Sequence, residues 1–291
     1  MSVDRLQDKI RKVKNPSVIV FEAFAHEIPP HILQQSANLG AAVEWFCTEL
    51  LEGLQGVVGA VRFGFGSFVL LGSDGVDVLR RCMEAARKQG YYILLDAPEV
   101  LSVHAAQNAV MALRDPINGF TYDGIVVNGY MGSDVIKPFA ELCREDKSLF
   151  VVARTANKSA PELQDLLTGG RLVHTAAADI VSRLGEVFPG KCGYSQVGVM
   201  AAASTADSLR TLRSKYKRMF LLLDGYDYPN ANAKNCSYAF DNLGHGAAAC
   251  AGSSVVAAWQ EAESDGLDFV ELSVAAAERM KKNLTRYFSV L

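Results

Sequence analysis

The residues able to do chemistry stand at the ends of apolar runs. Asp96 closes "YYILLDA" at 91–97, and Glu99 and His104 follow it in "PEVLSVH". Glu22 follows "PSVIVF" at 16–21. Arg62 lies within "GAVRFGF" at 59–65, and Asp224 closes "RMFLLLDG" at 218–225, with Asp227 just beyond; Asn128 and Arg154 end two further runs. A carboxyl at a strand mouth can move a proton or hold a cation, and an arginine there can grip an anion with paired N–H groups. Asp96 reads equally as a ligand contact or as a cap for the helix that follows. Glu99 in a first helical turn complements the positive end of the helix dipole. His104 could act as a general base, although a histidine on a helix is more often a packing residue. Glu22, Asp96, Asp224 and Asp227 together would make an acidic mouth for a cation.

Other motifs are weaker. The six cysteines are scattered, with no Cys-x-x-Cys, and the five histidines have no metal-ligand spacing among themselves or with the cysteines. Core thiols in a reducing compartment and no structural metal are the expectation. "GFGSFVLLGSDG" has Gly-x-Gly but lacks the third glycine of a dinucleotide loop, so no nucleotide cofactor is expected. His245, between glycines before the last strand, reads as a turn residue.

These groups need a scaffold. With 291 residues, 49% hydrophobic and 21% charged, the chain has the composition of an ordinary globular protein and can bury a large core without staples. A net charge of -3 points to neither nucleic acid nor an anionic membrane. The start "MSVDRLQDKIRKVKNP" is charged throughout and does not read as a secretory signal. Its basic run, Lys9 to Lys14, reads as the solvated face of a short N-terminal helix. No apolar run approaches the ~20 residues of a membrane span. A cytoplasmic protein without membrane or nucleic-acid partners is expected.

Apolar runs recur as "PSVIVF", "GAVRFGF", "YYILLDA", "YDGIVVNG", "SLFVVART", "SQVGVMAA", "RMFLLLDG" and "AAACAG". Each has the continuous aliphatic character of a buried parallel strand, except the last, whose alanines carry no propensity. Helical patterns lie between them. Val76, Leu79, Met83 and Ala86 share a face that Gly90 ends, and "STADSLRTLRSKY" offers Ser204 or Thr205 as N-cap. Eight strands alternating with helices predict a single-domain (β/α)8 barrel, with a doubly wound sheet as runner-up. A final helix is expected over about 266–291, under or beside the barrel.

Taken in order, the strand-end segments resemble the orotidine 5'-phosphate decarboxylase family over nearly the whole chain. "FTYDGIVVNGYMGSDVIKPF" resembles that family's fourth-strand segment through Asn128, Gly129, Tyr130, Gly132, Asp134, Pro138 and Phe139. "LFVVARTANKSAPELQ" resembles its fifth, "VRFGFGSFVLLGSDGVDVL" its second, and "ILLDAPEVLS" falls on its Asp-x-Lys-x-x-Asp signature. The resemblance implies a carbon–carbon lyase of UMP biosynthesis. In that reaction a lysine ammonium, flanked by two carboxylates, stabilises a ring carbanion and protonates it. Neighbouring charges in such an array interact by roughly 4 kcal/mol at 4 Å and an effective dielectric of 20.

Residue by residue, the array is broken. The first acid is Asp96, but the lysine falls on Pro98 and the second acid on Leu101. The second-strand lysine is Arg62 and the first-strand acid is Glu22. The phosphate-gripping Gln and Arg fall on Pro229 and on Gly252–Ser253, and Asp224 and Asp227 replace a Pro and a Gly nearby. The Ser that reads the pyrimidine falls on Ala156. Asp96 and Arg62 are thus the remnants of the catalytic set. Glu22, Asn128, Asp134, Thr155, Asn157 and Gly225 are the expected ligand-binding residues. The expectation is a family barrel without decarboxylase activity, acting as a non-catalytic binding protein. A homodimer through the barrel mouths and a pyrimidine-pathway enzyme are its expected partners. The alternatives are new chemistry at Asp96, Glu22 or His104, or true decarboxylation at an unorthodox site.

Overall fold

The computed structural model describes residues 1–97 and 99–290. Pro98, which falls at the family's lysine position, lies outside the described residues. Eight parallel strands form the barrel: β1 Ser17–Phe21, β2 Ala60–Gly64, β3 Tyr92–Asp96, β4 Gly124–Asn128, β5 Ser148–Val152, β6 Val197–Ala202, β7 Leu221–Asp224 and β8 Ala247–Ala251. They follow chain order around the barrel, and β8 closes on β1 with Ser17 beside Ala249 and Ile19 beside Ala251. Closure excludes the open doubly wound sheet. The alanine-rich run is a strand because its neighbours supply the bulk. Ala248 is buried in one cluster with Phe220 and Tyr194, whose rings meet edge to face 6.0 Å apart.

Side chains on a strand alternate between its faces. The even-numbered ones point into the barrel, where Val18, Leu94, Val126, Phe150 and Leu222 form one buried cluster. The odd-numbered ones, such as Ile19, Val61, Ile93 and Leu223, pack outward against the helices in a larger cluster. The same parity carries Glu22, Arg62, Asp96 and Asp224 to the inner face at the C-terminal ends of β1, β2, β3 and β7.

The opposite end is stoppered. The N-terminal helix Ser2–Val13 buries Val3, Leu6 and Ile10 among the interior residues of the strands. Its basic residues Arg11 and Lys12, and Lys14 just past its end, are exposed and Lys9 half-buried, while the opposite face is core. Ser2 Oγ donates to the Asp123 carbonyl at 2.7 Å and lies 2.8 Å from Tyr92 Oη, which in turn lies 2.8 Å from Ser148 Oγ.

Two expected helices form at Gly75–Lys88, ended by Gly90 with φ 83°, and at Ala206–Lys215. Thr205 is the N-cap of the second, but its hydroxyl donates to the Ala202 carbonyl rather than capping. The last helix is shorter than expected. It spans Phe269–Leu284 and lies beside the barrel, with Phe269 stacked on Phe46 at 5.4 Å. A small hairpin, Leu167–Thr168 with Arg171–Leu172, was not legible in the sequence. His245 does sit in a turn, its N–H donating to Asp241 Oδ1 at 2.9 Å. All six cysteines are free, and five of them are buried. Among the described residues no helix is long and apolar enough to cross a membrane, and no cluster of acids, histidines or cysteines has metal-binding geometry.

Candidate active site at the barrel mouth

Arg62 reaches up inside the barrel between two acids. Its Nη2 lies 2.8 Å from Asp224 Oδ1, and its Nε lies 3.3 Å from Asp96 Oδ2 without the alignment of a hydrogen bond. Nη1 donates to Met200 Sδ at 3.1 Å. The guanidinium is buried, and Asp224 and Asp96 hold its proton more tightly than an ordinary arginine would. It serves as a fixed positive charge and cannot act as a proton donor.

Asp96 is 8% exposed, and its Oδ1 has no hydrogen-bond partner. Burial pushes its carboxyl up to about 7. Arg62 opposes the rise, while Asp224, Glu22 and Glu99 add to it. Asp96 therefore does not cap a helix: that role belongs to Ser102, whose Oγ accepts the Ala105 N–H at 3.1 Å. Burial also raises the Glu22 carboxyl, against the pull of the Ser67 hydroxyl and Arg62. Gly64 makes room for Glu22, because a Cβ there would come within 2.1 Å of its Oε2.

Carboxylates also fill the edge between β7 and β8. Asp227 Oδ2 accepts the Gly252 N–H at 2.5 Å, and its Oδ1 accepts the Ser254 hydroxyl. Glu27, buried and with its carboxyl raised by that burial, accepts the Ser253 hydroxyl. The donors that a barrel offers to a phosphate at this edge are thus held by the chain's own acids.

The other expected residues divide. Asn128 turns its Oδ1 onto the Tyr130 N–H at 2.8 Å and shapes the loop after β4. Thr155 is tied down by Gln164, whose Oε1 accepts its N–H at 2.8 Å and whose Nε2 donates to its Oγ1 at 2.7 Å. The Thr155 hydroxyl donates to Asn157 Oδ1 at 2.5 Å. Gly225, at φ 73°, lets the loop after β7 touch the loop after β5: a Cβ there would sit 2.5 Å from Ala156 Cβ. Asp134, in the first turn of the helix Ser133–Ala140, is exposed, with its Oδ1 3.1 Å from the Val135 N–H, and it lines an outer groove with Lys137 and Arg183. Leu101 and His104 are also exposed and do not join the acid cluster.

Sequence reasoning missed Glu27, Met200 and Asp165. Asp165 takes Arg154 through both carboxylate oxygens, at 3.0 Å each, so neither mouth arginine is left for a ligand anion. The pairings of Glu27 with Ser253 and of Met200 with Arg62 join parts of the chain distant in sequence, whereas Asp165 reaches Arg154 within the loop after β5.

No protein-family model matches the chain. It is 26% identical over 287 residues to the orotidine 5'-phosphate decarboxylase of Clostridium novyi, covering 98% of each chain. It is 24% identical over 303 residues to that of Caldicellulosiruptor saccharolyticus, again covering 98% of each. The barrel superposes on Leishmania donovani OMP decarboxylase with a TM-score of 0.75 at 20% identity, covering 98% of both chains. Against a Toxoplasma gondii chain provisionally named orotidine-monophosphate-decarboxylase the TM-score is 0.80 at 20% identity, covering 98% of this chain and 97% of that one. Likeness along the whole sequence and a shared closed barrel make this protein a divergent relative of the orotidine 5'-phosphate decarboxylases.

Proposed function

We propose that this barrel has lost orotidine 5'-phosphate decarboxylation and serves as a non-catalytic binding member of its family in the cytoplasm. One observation carries the reading. The cation between the mouth acids is Arg62, locked at 2.8 Å from Asp224 and 3.3 Å from Asp96. A ring carbanion needs a proton from the group that stabilises it. Arg62 cannot give one, and the lysine position of the signature is Pro98. The filled β7–β8 edge supports the same reading, since a nucleotide's phosphate would meet Asp227 there. Its partners are a second copy, mouth to mouth, and an enzyme of pyrimidine synthesis.

The test is an assay of orotidine 5'-phosphate decarboxylation with purified protein. No turnover above background is expected, and turnover at the rate of the named relatives would overturn the proposal. A second reading, proton transfer to or from a different ligand, rests on Asp96: a buried carboxyl held near 7 is poised for general acid–base work.

A further inference from the structure

The mouth has too little positive charge for its acids. Asp96 and Asp224 share Arg62, and Glu22 and Glu99 press their charge on the same group from the loops after β1 and β3. Cys250, buried on β8, is a further titratable neighbour, and burial pushes its thiol up to about 12, so it stays neutral. Arg154, the other arginine at the strand ends, is spent on Asp165. The deficit is local as well as global. Asp96 Oδ1, on a side chain nine-tenths buried whose other oxygen meets Arg62, has no hydrogen-bond partner. A buried carboxylate oxygen left bare costs the fold free energy unless something donates to it.

We propose that the barrel mouth binds a ligand bearing a primary ammonium group and no phosphate, with the ammonium donating to Asp96 Oδ1 and balanced by Glu22. The ammonium supplies a second positive charge beside Arg62, which Asp96 and Asp224 share. This rests on the reading that the barrel has left decarboxylation. A metal ion fits less well, because the described acids do not converge with ligand geometry. A phosphate is refused at the β7–β8 edge, where Asp227 already holds the Gly252 N–H and the Ser254 hydroxyl. Binding has a proton signature. A cation beside Asp96 favours its ionised form, so its pKa falls from about 7 on binding. At and just below neutral pH the complex then releases protons, and affinity rises with pH through 7.

Putrescine is the probe, titrated into the full chain against sodium chloride of equal ionic strength. Putrescine is expected to raise Tm where the salt does not. Calorimetry at pH 7 in two buffers of different ionisation heat should show proton release. Asp96→Asn and Glu22→Gln should each weaken the binding at least about tenfold. Asp207→Asn, at a position 97% exposed on a helix surface, should leave it unchanged. No stabilisation beyond the salt control, no proton release, or equal binding by Asp96→Asn and Glu22→Gln would overturn the proposal. Glu22→Gln keeps the test decisive if Asp96→Asn does not fold. The two readings fail separately: turnover of orotidine 5'-phosphate overturns the loss of activity, and an inert putrescine titration overturns the ammonium site.

Discussion

Asp123 and Asp96 are both buried, at 4% and 8% exposure, yet the barrel treats them differently. Asp123 lies just before β4, at the stoppered end. Its carboxylate meets two arginines, Arg87 at 2.9 Å and Arg5 at 3.2 Å, the latter shared with Asp146, and accepts the Ile93 N–H at 2.9 Å. Asp96 divides one arginine with Asp224, lacks an aligned bond to it, and leaves Oδ1 bare. The first pattern is that of a carboxylate kept for the fold, every lone pair engaged. The second is that of a site, where a polar group is held ready at the expense of stability. Two aspartates on one scaffold thus separate the end that holds the barrel together from the end that carries the candidate site.

The contrast is sharpest in its pH dependence. The folded pKa of Asp96 is raised, so its contribution to stability is full below about 4 and is lost as pH rises through about 7. A carboxyl held near 7 rather than 3.8 costs the folded state up to about 4 kcal/mol once ionised. Urea unfolding should therefore show wild type losing stability between pH 4 and 7. Asp96→Asn, which does not titrate, should flatten that slope and leave the variant no less stable than wild type at pH 8. An unchanged slope would mean that Asp96 is as well served as Asp123.

Removing the other carboxylate should act in the opposite direction. Asp123→Ala strips the Ile93 N–H of its acceptor and leaves Arg5 and Arg87 without their shared anion. Both arginines are partly exposed and can turn to water, which limits the damage to about 3 kcal/mol. Chemical denaturation at pH 8 should show this loss beside little or none for Asp96→Asn. Equal losses at the two positions would break the comparison.

How far these two ends were legible follows from the range of the interactions. Each of the eight strands was visible because a buried parallel strand is apolar throughout, and even Ala247–Ala251 stood out by position. Asp96, Glu22 and Asp224 were visible as acids ending such runs. Their sharing of Arg62 was not, because β2, β3 and β7 bring these groups together through barrel closure rather than sequence spacing. The N-terminal helix announced its basic face, but its burial face of Val3, Leu6 and Ile10 had no recognisable partner until the barrel's lower opening existed.

The mouth also differs from the stoppered end in what it shows to solvent. Leu101 is 55% exposed, Met131 41% and Leu163 57%, from the loops after β3, β4 and β5. Apolar groups gathered at a strand mouth favour a covering surface. A second copy related by a two-fold axis is the simplest one, because each mouth then covers the other. Burying a leucine in this way gains about 1.5–3 kcal/mol. Light scattering at micromolar concentration should give twice the monomer mass. Leu101→Asp together with Met131→Asp should return it to the monomer while leaving the stability of the Asp123 end untouched. A monomer in the wild type, or a dimer indifferent to both substitutions, would leave these apolar groups in open solvent and overturn the mouth-to-mouth pairing.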